Sequence, residues 1–383
     1  MTRARRDPIT PPARVAALDG LRAVAIGLVV VCHYYSIVPT PEGSVVHDWL
    51  RRATSLGYSG VDLFFVLSGF LIGGILLDHR AAPRLLPAFY ARRFFRIVPL
   101  YLLLLATFFV CREIPGLGAL NHGTYFSSPV PVWSYGIFGQ NIAMSWIQDI
   151  GPYWLGPTWS LAVEEQFYLL APLFIRRFSP RQVAWTCVTV IVLSPLVRLT
   201  ALYHAENPYA AVFLLATRAD GLMWGVLCAC LLRTESARIA LRRRGAVLAA
   251  LAVAGAALFT LASLQRLGAD SPPLLFYGYS LLSAWFAVIL LGVLLFPDTA
   301  MARYLAWRPL TVIGITSYFI YLFHTPIWYV LHWLFLNRPP LHLSWPAGVV
   351  TLLAVVGTAL AARASWQWLE SPLLKLGHRV RYD

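Results

Sequence analysis

The stretch Leu18-Asp-Gly-Leu-Arg-Ala-Val-Ala-Ile-Gly-Leu-Val-Val-Val-Cys-His33 decides the fold class of this 383-residue chain. From Ala23 to Cys32 it has no charged residue, and about 20 mostly apolar residues are enough to cross a bilayer as a helix. Eleven residues of α-helix advance by roughly 1,100° and 16 Å, which predicts that Arg22 and His33 share one face at different depths. Ionisable residues inside a span are costly, so both are candidate functional residues.

The composition of the whole chain is typical of a membrane protein. Apolar and aromatic residues make up 58% of the sequence and charged residues 13%, whereas soluble domains average about 25% charged residues. These values exclude a disordered chain and a soluble enzyme. The five cysteines show no disulfide or metal-ligand spacing, so we interpret them as buried apolar residues and predict no metal site.

Hydropathy predicts an all-α fold, a polytopic membrane helical bundle of about ten transmembrane helices. The segment 132–147 is rich in glycine and polar residues and is predicted to be a short or re-entrant helix. The chain is therefore divided into a basic N-terminal tail (1–17), a transmembrane domain (18–364) and a C-terminal tail (365–383). The ten predicted spans are 18–38, 57–77, 97–113, 159–175, 182–203, 211–232, 245–264, 273–296, 311–335 and 345–364.

The distribution of basic residues predicts the orientation of these spans. The net charge is +14, and basic residues collect on the cytoplasmic side of membrane proteins. With the N-terminus inside, most of the basic residues fall in inside segments, which predicts that both termini are cytoplasmic and argues against nucleic acid as a partner. Lys375 is the only lysine, and this arginine bias is typical of a GC-rich bacterial genome, so the expected location is a bacterial plasma membrane. The outside loops hold only Arg51, Arg52, Arg112, Arg266 and Arg338, with Arg198 and Arg218 near outer span ends.

Two groups of charges lie near the outer ends of spans. Asp62 stands in the apolar run 60–72, and Arg218 lies two residues before Asp220. The simpler explanation is helix packing with a paired Asp62, together with an internal ion pair between Arg218 and Asp220. The functional alternative is that Asp62 and Arg218 contact a substrate.

Two further groups recur at helical spacing and therefore share a face of their helices. Capping or an interhelical hydrogen-bond network would explain each group without a function. Two carboxylates and a glutamine just inside a span exceed what helix capping needs, which favours a site around Glu164. The residues are Ser160, Glu164 and Tyr168 in one predicted span, and Ser317, Tyr321 and His324 in another.

A cluster of arginines occupies the inner loop 89–99. Arg92, Arg93 and Arg96 are interleaved with aromatic residues. Positive-inside charge alone would explain them, but guanidinium groups also suit phosphate oxygens, and aromatic rings suit a nucleobase. Because the candidate residues in the spans fall in the outer half and the arginines lie inside, we predict an outward polar chamber with a basic inner mouth.

Six segments, taken together and in order, resemble the acyltransferase 3 family of integral-membrane O-acyltransferases. The resemblance covers most of the chain and includes the Arg22–His33 spacing. Some members carry a C-terminal hydrolase-like domain, and this chain looks like the membrane module alone. The segments are LDGLRAVAI…CH (18–33), GVDLFFVLSGFLI (60–72), FYARRFFRIVPLY (89–101), WSLAVEEQFYLL (159–170), TRADGLMWG (217–225) and ITSYFIYLFHTPI (315–327).

The resemblance implies transfer of an acyl group from acyl-CoA to a hydroxyl of a carbohydrate-containing acceptor. It implies that His33 is the catalytic histidine, with Arg22 as its motif partner, and that Arg92, Arg93 and Arg96 meet the donor. Acyl-CoA, expected to be acetyl-CoA, is then a substrate, with no permanently bound cofactor. Expected acceptors are an envelope polysaccharide, a glycolipid or a macrolide sugar. The sequence leaves open whether the chain forms a homo-oligomer.

In this interpretation the remaining candidate residues support the reaction by orienting His33, contacting the acceptor or stabilising charge. Glu164 is expected to orient or charge-stabilise His33, which acts as base or acyl carrier. The competing interpretation is a transporter or flippase of a glycan or lipid-linked precursor, whose charges line a path. Acceptor contacts are expected from Asp62, Arg218, Ser160, Tyr168, Tyr321 and His324, with Arg218, Tyr321 or His324 also able to stabilise an oxyanion.

Overall fold

The computed structural model describes residues 15–36, 45–115, 117, 125–203, 206–265, 274–340 and 344–383. Within these ranges every regular element is a helix, which confirms the all-α prediction. The predicted basic N-terminal tail lies outside the described residues as far as Arg14, and so does Arg266 of the predicted outside loops.

The described chain forms eighteen α-helices. A π-helical turn, Cys32–Ser36, continues α1, a second, Leu274–Gly278, precedes α13, and a third, Trp366–Glu370, joins α17 to α18. The helices are α1 Ala16–Val31, α2 Val45–Thr54, α3 Gly60–His79, α4 Leu85–Arg112, α5 Val132–Gly136, α6 Gln140–Ile147, α7 Trp159–Arg177, α8 Pro180–Tyr203, α9 Pro208–Phe213, α10 Leu215–Arg233, α11 Glu235–Arg243, α12 Gly245–Leu264, α13 Tyr279–Leu295, α14 Ala300–Leu305, α15 Arg308–Ile315, α16 Ser317–Leu336, α17 Trp345–Ser365 and α18 Ser371–His378.

Nine helical segments of the described chain are long and apolar enough to cross a membrane, one fewer than the ten predicted. The predicted span without a counterpart among these nine segments is 159–175, which corresponds to α7, a helix of 19 residues. Its two glutamates and its two terminal arginines make it too polar to qualify by composition. The segment 132–147 forms the short helices α5 and α6, as predicted.

Local sequence signals explain where several helices begin. The side chains of Asn207, Thr299 and Ser344 each accept a hydrogen bond from the backbone N–H three residues later. Such caps satisfy N–H groups that have no partner inside the helix. Proline follows at the first turn of α9 and α17, where its missing N–H costs nothing.

The bundle is held together by unusually close helix crossings. A Cβ added at Gly69 of α3 would collide with the carbonyl of Leu222 in α10, and one at Gly225 would collide with the carbonyl of Val66. Gly20 of α1 meets the backbone of Leu305 in the same way. Small residues let backbones approach closely, which is how helices gain packing energy in a membrane.

Candidate active site

A cavity of about 220 Å³ lies between α1, α3, α4, α7 and α16. Its lining includes Val61 and Ile75, which are fourteen residues apart on α3, so the cavity follows that helix for roughly 20 Å. This elongated shape suits an extended chain rather than a compact molecule. The polar lining residues are Arg22, Ser68, Arg93, Arg96, Ser160, Glu164, Tyr168, Ser317, Tyr318 and Tyr321.

Three guanidinium groups meet at this cavity. Arg93 and Arg96 come from α4, and Arg22 comes from α1, where its Nη1 donates to Asp19 Oδ1 at 2.7 Å. The positive charges of Arg22 and Arg93 act on Arg96, and the Glu370 carboxylate offsets part of them. Several guanidinium groups in a partly enclosed cleft form a site for a polyanion such as a phosphate chain.

The predicted stripe of α7 faces the same space. Tyr168 Oη donates to Glu164 Oε2 at 3.2 Å and is also hydrogen bonded to Ser68 Oγ. The Arg93 guanidinium lies 5.9 Å from the centre of the Tyr168 ring. Glu164 therefore faces the arginines across the cavity, with its position set by a tyrosine one turn along the helix.

A second hydroxyl pair lies at the junction of α7 and α16. Tyr321 Oη donates to the carbonyl of Pro157 at 2.6 Å, so Ser160 Oγ, 2.5 Å away, is the donor to Tyr321 Oη. The ring of Phe64 packs edge-on against Tyr321, with centroids 6.1 Å apart. These three side chains form one wall of the cavity.

Two histidines meet next to this wall. His33 Nδ1 lies 3.1 Å from His324 Nε2, and the ring centroids are 5.0 Å apart. His324 is fully buried, and its Nδ1 is 2.8 Å from the carbonyl of Tyr321. The two histidines are not among the residues that line the described cavity, but the His324 ring lies 6.4 Å from the ring of Tyr321 in the cavity wall.

His33 occupies the π-helical turn that follows α1. Such turns are rare and are frequently found at functional sites. The α-helical register predicted from the sequence holds from Arg22 to Val31, and the backbone widens at the histidine.

The model of the acyltransferase 3 family, described as an acyltransferase domain, matches residues 15–363. The chain belongs to the acyltransferase 3 family. The family predicted from six sequence segments is thus confirmed, and the bundle around the cavity is an acyltransferase domain. With nine candidate spans among its described residues and with bacterial relatives, the chain is a multi-pass membrane protein.

Two relatives in this family are O-acetyltransferases by name. The chain is similar to O-acetyltransferase OatA of Staphylococcus aureus (strain NCTC 8325 / PS 47), with 27% identity over 385 residues, 98% of this chain and 60% of the relative. It is also similar to peptidoglycan O-acetyltransferase OatA of Listeria monocytogenes serovar 1/2a (strain ATCC BAA-679 / EGD-e), with 28% identity over 375 residues, 95% of this chain and 56% of the relative. The chain thus spans about 60% or less of the length of these relatives, and no solved structure matches it.

One arginine of the family segment 89–101 does not reach the cavity. Arg92 donates through Nε and Nη2 to the carbonyl of Val380, at 3.2 and 3.1 Å, and its guanidinium lies 4.3 Å from the centre of the Tyr382 ring. Burial raises the pKa of the Tyr382 phenol above its ordinary value, so the neutral ring offers its face to the cation. Arg92 therefore holds the C-terminal segment, while Arg93 and Arg96 face the cavity.

Asp62 and Arg218 also lie away from the cavity lining. Arg218 Nη2 donates to Asp62 Oδ1 at 2.6 Å, and Arg198 pairs with Asp220 at 3.0 Å. All four side chains are almost fully buried. The ion pair that the sequence suggested between Arg218 and Asp220 is therefore replaced by these two pairs. α3 brings Asp62 next to Arg218, and α8 brings Arg198 next to Asp220.

Sequence reasoning missed three residues of the site. Tyr318 and Ser68 line the cavity, and Tyr318 donates to the carbonyl of Ile97 at 2.9 Å. Tyr34 donates to the carbonyl of His324 at 2.7 Å. The signal for the two tyrosines was adjacency, since Tyr34 follows His33 and Tyr318 follows Ser317, and Ser68 lies within the family segment 60–72.

Metal ligands do not gather in this domain as far as the structure describes it. No three His, Cys, Asp or Glu side chains lie close enough to hold an ion among those residues. The groups that the site offers are guanidinium, hydroxyl, carboxylate and imidazole.

Proposed function

We propose that this protein is a membrane O-acetyltransferase that moves an acetyl group from acetyl-CoA to a hydroxyl of a cell-envelope glycan. The observation that carries the proposal is a basic cavity with a histidine pair beside its wall. Arg22, Arg93 and Arg96 supply an anion site, and His324, paired with His33, has its ring 6.4 Å from the ring of Tyr321 in the cavity wall. A polyanionic carrier with a reactive group at the end of a long arm fits this arrangement.

The donor is proposed to enter from the basic side of the membrane. Arg93 and Arg96 bind its phosphates, because guanidinium groups form paired, charge-assisted hydrogen bonds with phosphate oxygens. The pantetheine arm follows α3 past Ser68 toward Tyr321. The predicted orientation places these arginines on the cytoplasmic side, where acyl-CoA is made.

His33 is proposed to be the general base. Its ring takes the proton from the acceptor hydroxyl while the hydroxyl oxygen attacks the thioester carbonyl carbon. The new C–O bond forms, the C–S bond breaks, and the departing CoA sulfur takes the proton back from His33. The products are the O-acetyl ester and free CoA, with no net change in the enzyme. A route through an acetylated His33 has the same overall balance.

Glu164 is proposed to act at the donor rather than at His33. Its carboxylate is tied to Tyr168 on the cavity wall and faces Arg93. A negative charge there attracts the Arg93 guanidinium and orients it before the donor binds. This replaces the earlier expectation that Glu164 stabilises the histidine directly.

The acceptor is proposed to be peptidoglycan or another glycan of the envelope. The support is the printed name of the Listeria relative, which specifies peptidoglycan, and the family's membrane setting. The protein is accordingly assigned to the bacterial plasma membrane, with the acceptor reaching His33 from the outer face.

The test uses purified protein in lipid nanodiscs with acetyl-CoA and soluble peptidoglycan fragments. Free CoA is measured with a thiol reagent, and the acetylated product is measured by mass. His33→Ala is expected to lower turnover by about 100-fold or more. His378→Ala serves as the control, because that histidine is exposed at the end of α18. Equal turnover by wild type and His33→Ala overturns the role of His33. If wild type releases no CoA with any acceptor but moves a lipid-linked glycan across the bilayer, the protein is a transporter.

A further inference from the structure

We propose that His324 is a positioning residue that sets the tautomer of His33, so that Nε2 of His33 is the basic nitrogen. This inference rests on the proposed function and adds a residue whose role the mechanism above does not assign. It also replaces the expectation that His324 contacts the acceptor.

The tautomer of His324 follows from its partners. Its Nδ1 lies 2.9 Å from the carbonyl of Ile320 and 2.8 Å from the carbonyl of Tyr321. Carbonyl oxygens only accept hydrogen bonds, so Nδ1 of His324 carries the proton. In the neutral ring the other nitrogen, Nε2, is then an acceptor.

The tautomer of His33 follows in turn. His33 Nδ1 lies 3.1 Å from His324 Nε2. Two lone pairs at that distance would repel each other, so His33 Nδ1 carries a proton and donates it. The remaining nitrogen of the neutral His33 ring, Nε2, holds the lone pair that a base needs.

A charged His324 would reverse this argument, and its surroundings disfavour it. In the part of the chain that the structure describes, no carboxylate is hydrogen bonded to either ring. His324 is fully buried, and burying an uncompensated charge is expensive. The Thr325 hydroxyl, 3.2 Å from His324 Nε2, can rotate to donate to the same nitrogen and is therefore compatible with Nε2 as an acceptor.

Contacts from Tyr34 hold the backbone of α16 in place at His324, the residue from which this chain of hydrogen bonds starts. Tyr34 Oη donates to the carbonyl of His324 at 2.7 Å, and the Tyr34 ring stacks on Trp328 with centroids 4.7 Å apart. Because Tyr34 is adjacent to His33, the same contacts hold the π-helical turn against α16. In serine proteases a carboxylate orients the catalytic histidine, whereas here a second neutral histidine has that role.

The test compares two substitutions that each keep half of the His324 ring. His324→Gln places a carbonyl oxygen near the Nε2 position and keeps an acceptor for His33. His324→Asn keeps a donor near the Nδ1 position but offers His33 nothing. We expect His324→Asn to lower kcat by about 100-fold, His324→Gln to retain at least a tenth of wild-type kcat, and both to leave KM for acetyl-CoA within about twofold.

Thr325→Val is the second variant, and it removes the competing donor. We expect it to retain more kcat than His324→Asn, because His33 keeps its acceptor. Acetyl-CoA binding and thermal unfolding of each purified variant show whether it has folded. If His324→Asn does not fold, His324→Gln and Thr325→Val still test the inference, and a loss of kcat by Thr325→Val equal to that of His33→Ala overturns it.

The failure of this inference is separable from that of the proposed function. If His33→Ala abolishes turnover while His324→Gln and His324→Asn behave alike, His324 does not set the tautomer, and His33 remains the base. If His33→Ala retains turnover, the proposed role of His33 fails whatever the His324 variants do.

Discussion

The guanidinium of Arg218 lies 2.6 Å from the carboxylate of Asp62, although the two residues are 156 positions apart in the chain. Both side chains are 2% exposed. The pair ties α10 to α3 at the crossing where Gly69 and Gly225 bring the backbones together. Asp62 and Arg218 therefore explain the order of the bundle more directly than they explain substrate binding.

Arg218→Met is expected to destabilise the protein because it leaves Asp62 as an uncompensated buried charge. Removal of one partner of such a pair costs about 3–5 kcal/mol. Arg233→Met is the matched control, since Arg233 pairs with Asp78 at 2.5 Å where the side chains are 33% and 44% exposed. An exposed pair contributes about 0–1 kcal/mol. Thermal unfolding in one detergent measures both variants, and equal losses would contradict the assignment.

Arg96→Met is expected to raise KM for acetyl-CoA by roughly 10- to 100-fold. A hydrogen bond to a charged group contributes about 1.5–3 kcal/mol, and 1.4 kcal/mol corresponds to a factor of ten. Arg92→Met is the control from the same helix, because Arg92 binds Val380 and Tyr382 instead of the cavity. Steady-state kinetics measures the two variants, and an equal or larger KM effect for Arg92→Met would show that Arg92 meets the donor.

Glu164→Gln is expected to lower kcat/KM for acetyl-CoA by at least about tenfold, since it removes the charge that faces Arg93 but keeps the side-chain shape. Glu165→Gln is the control at the neighbouring position, because Glu165 is not among the described cavity-lining residues. We expect a smaller loss for it. If Glu164→Gln turns over at the wild-type rate, Glu164 has no part in the mechanism.

The predicted orientation is tested by labelling with a thiol reagent that does not cross membranes. Glu113, after α4, and Glu235, at the start of α11, are both exposed and are predicted to lie on opposite sides. In intact cells Glu113→Cys should react and Glu235→Cys should react only after lysis. The five native cysteines are buried or half-buried, so wild type provides the background signal. The reverse pattern would invert the predicted orientation and place the arginines outside.

Sequence reasoning could predict those parts of the site that depend on local periodicity. Ser160, Glu164 and Tyr168 were expected on one face from their spacing, and all three line the cavity. The charges that mark α7 as functional also keep it out of the nine segments of the described chain that qualify as spans by length and composition. The same reasoning could not separate Arg92 from Arg93 and Arg96, since the three lie within five residues and have the same chemistry.

The sequence by itself determined the helices, their approximate bounds and the family, because backbone hydrogen bonding in a bilayer is local and requires long apolar runs. It also marked which side chains are too costly to lie in a membrane without a purpose. Only the tertiary structure decided which of those side chains meet. His33 and His324 are 291 residues apart. Their contact depends on how α1 and α16 pack, including the stacking of Tyr34 on Trp328. Helix packing follows from the shapes of many side chains at once, and no spacing along the chain records it.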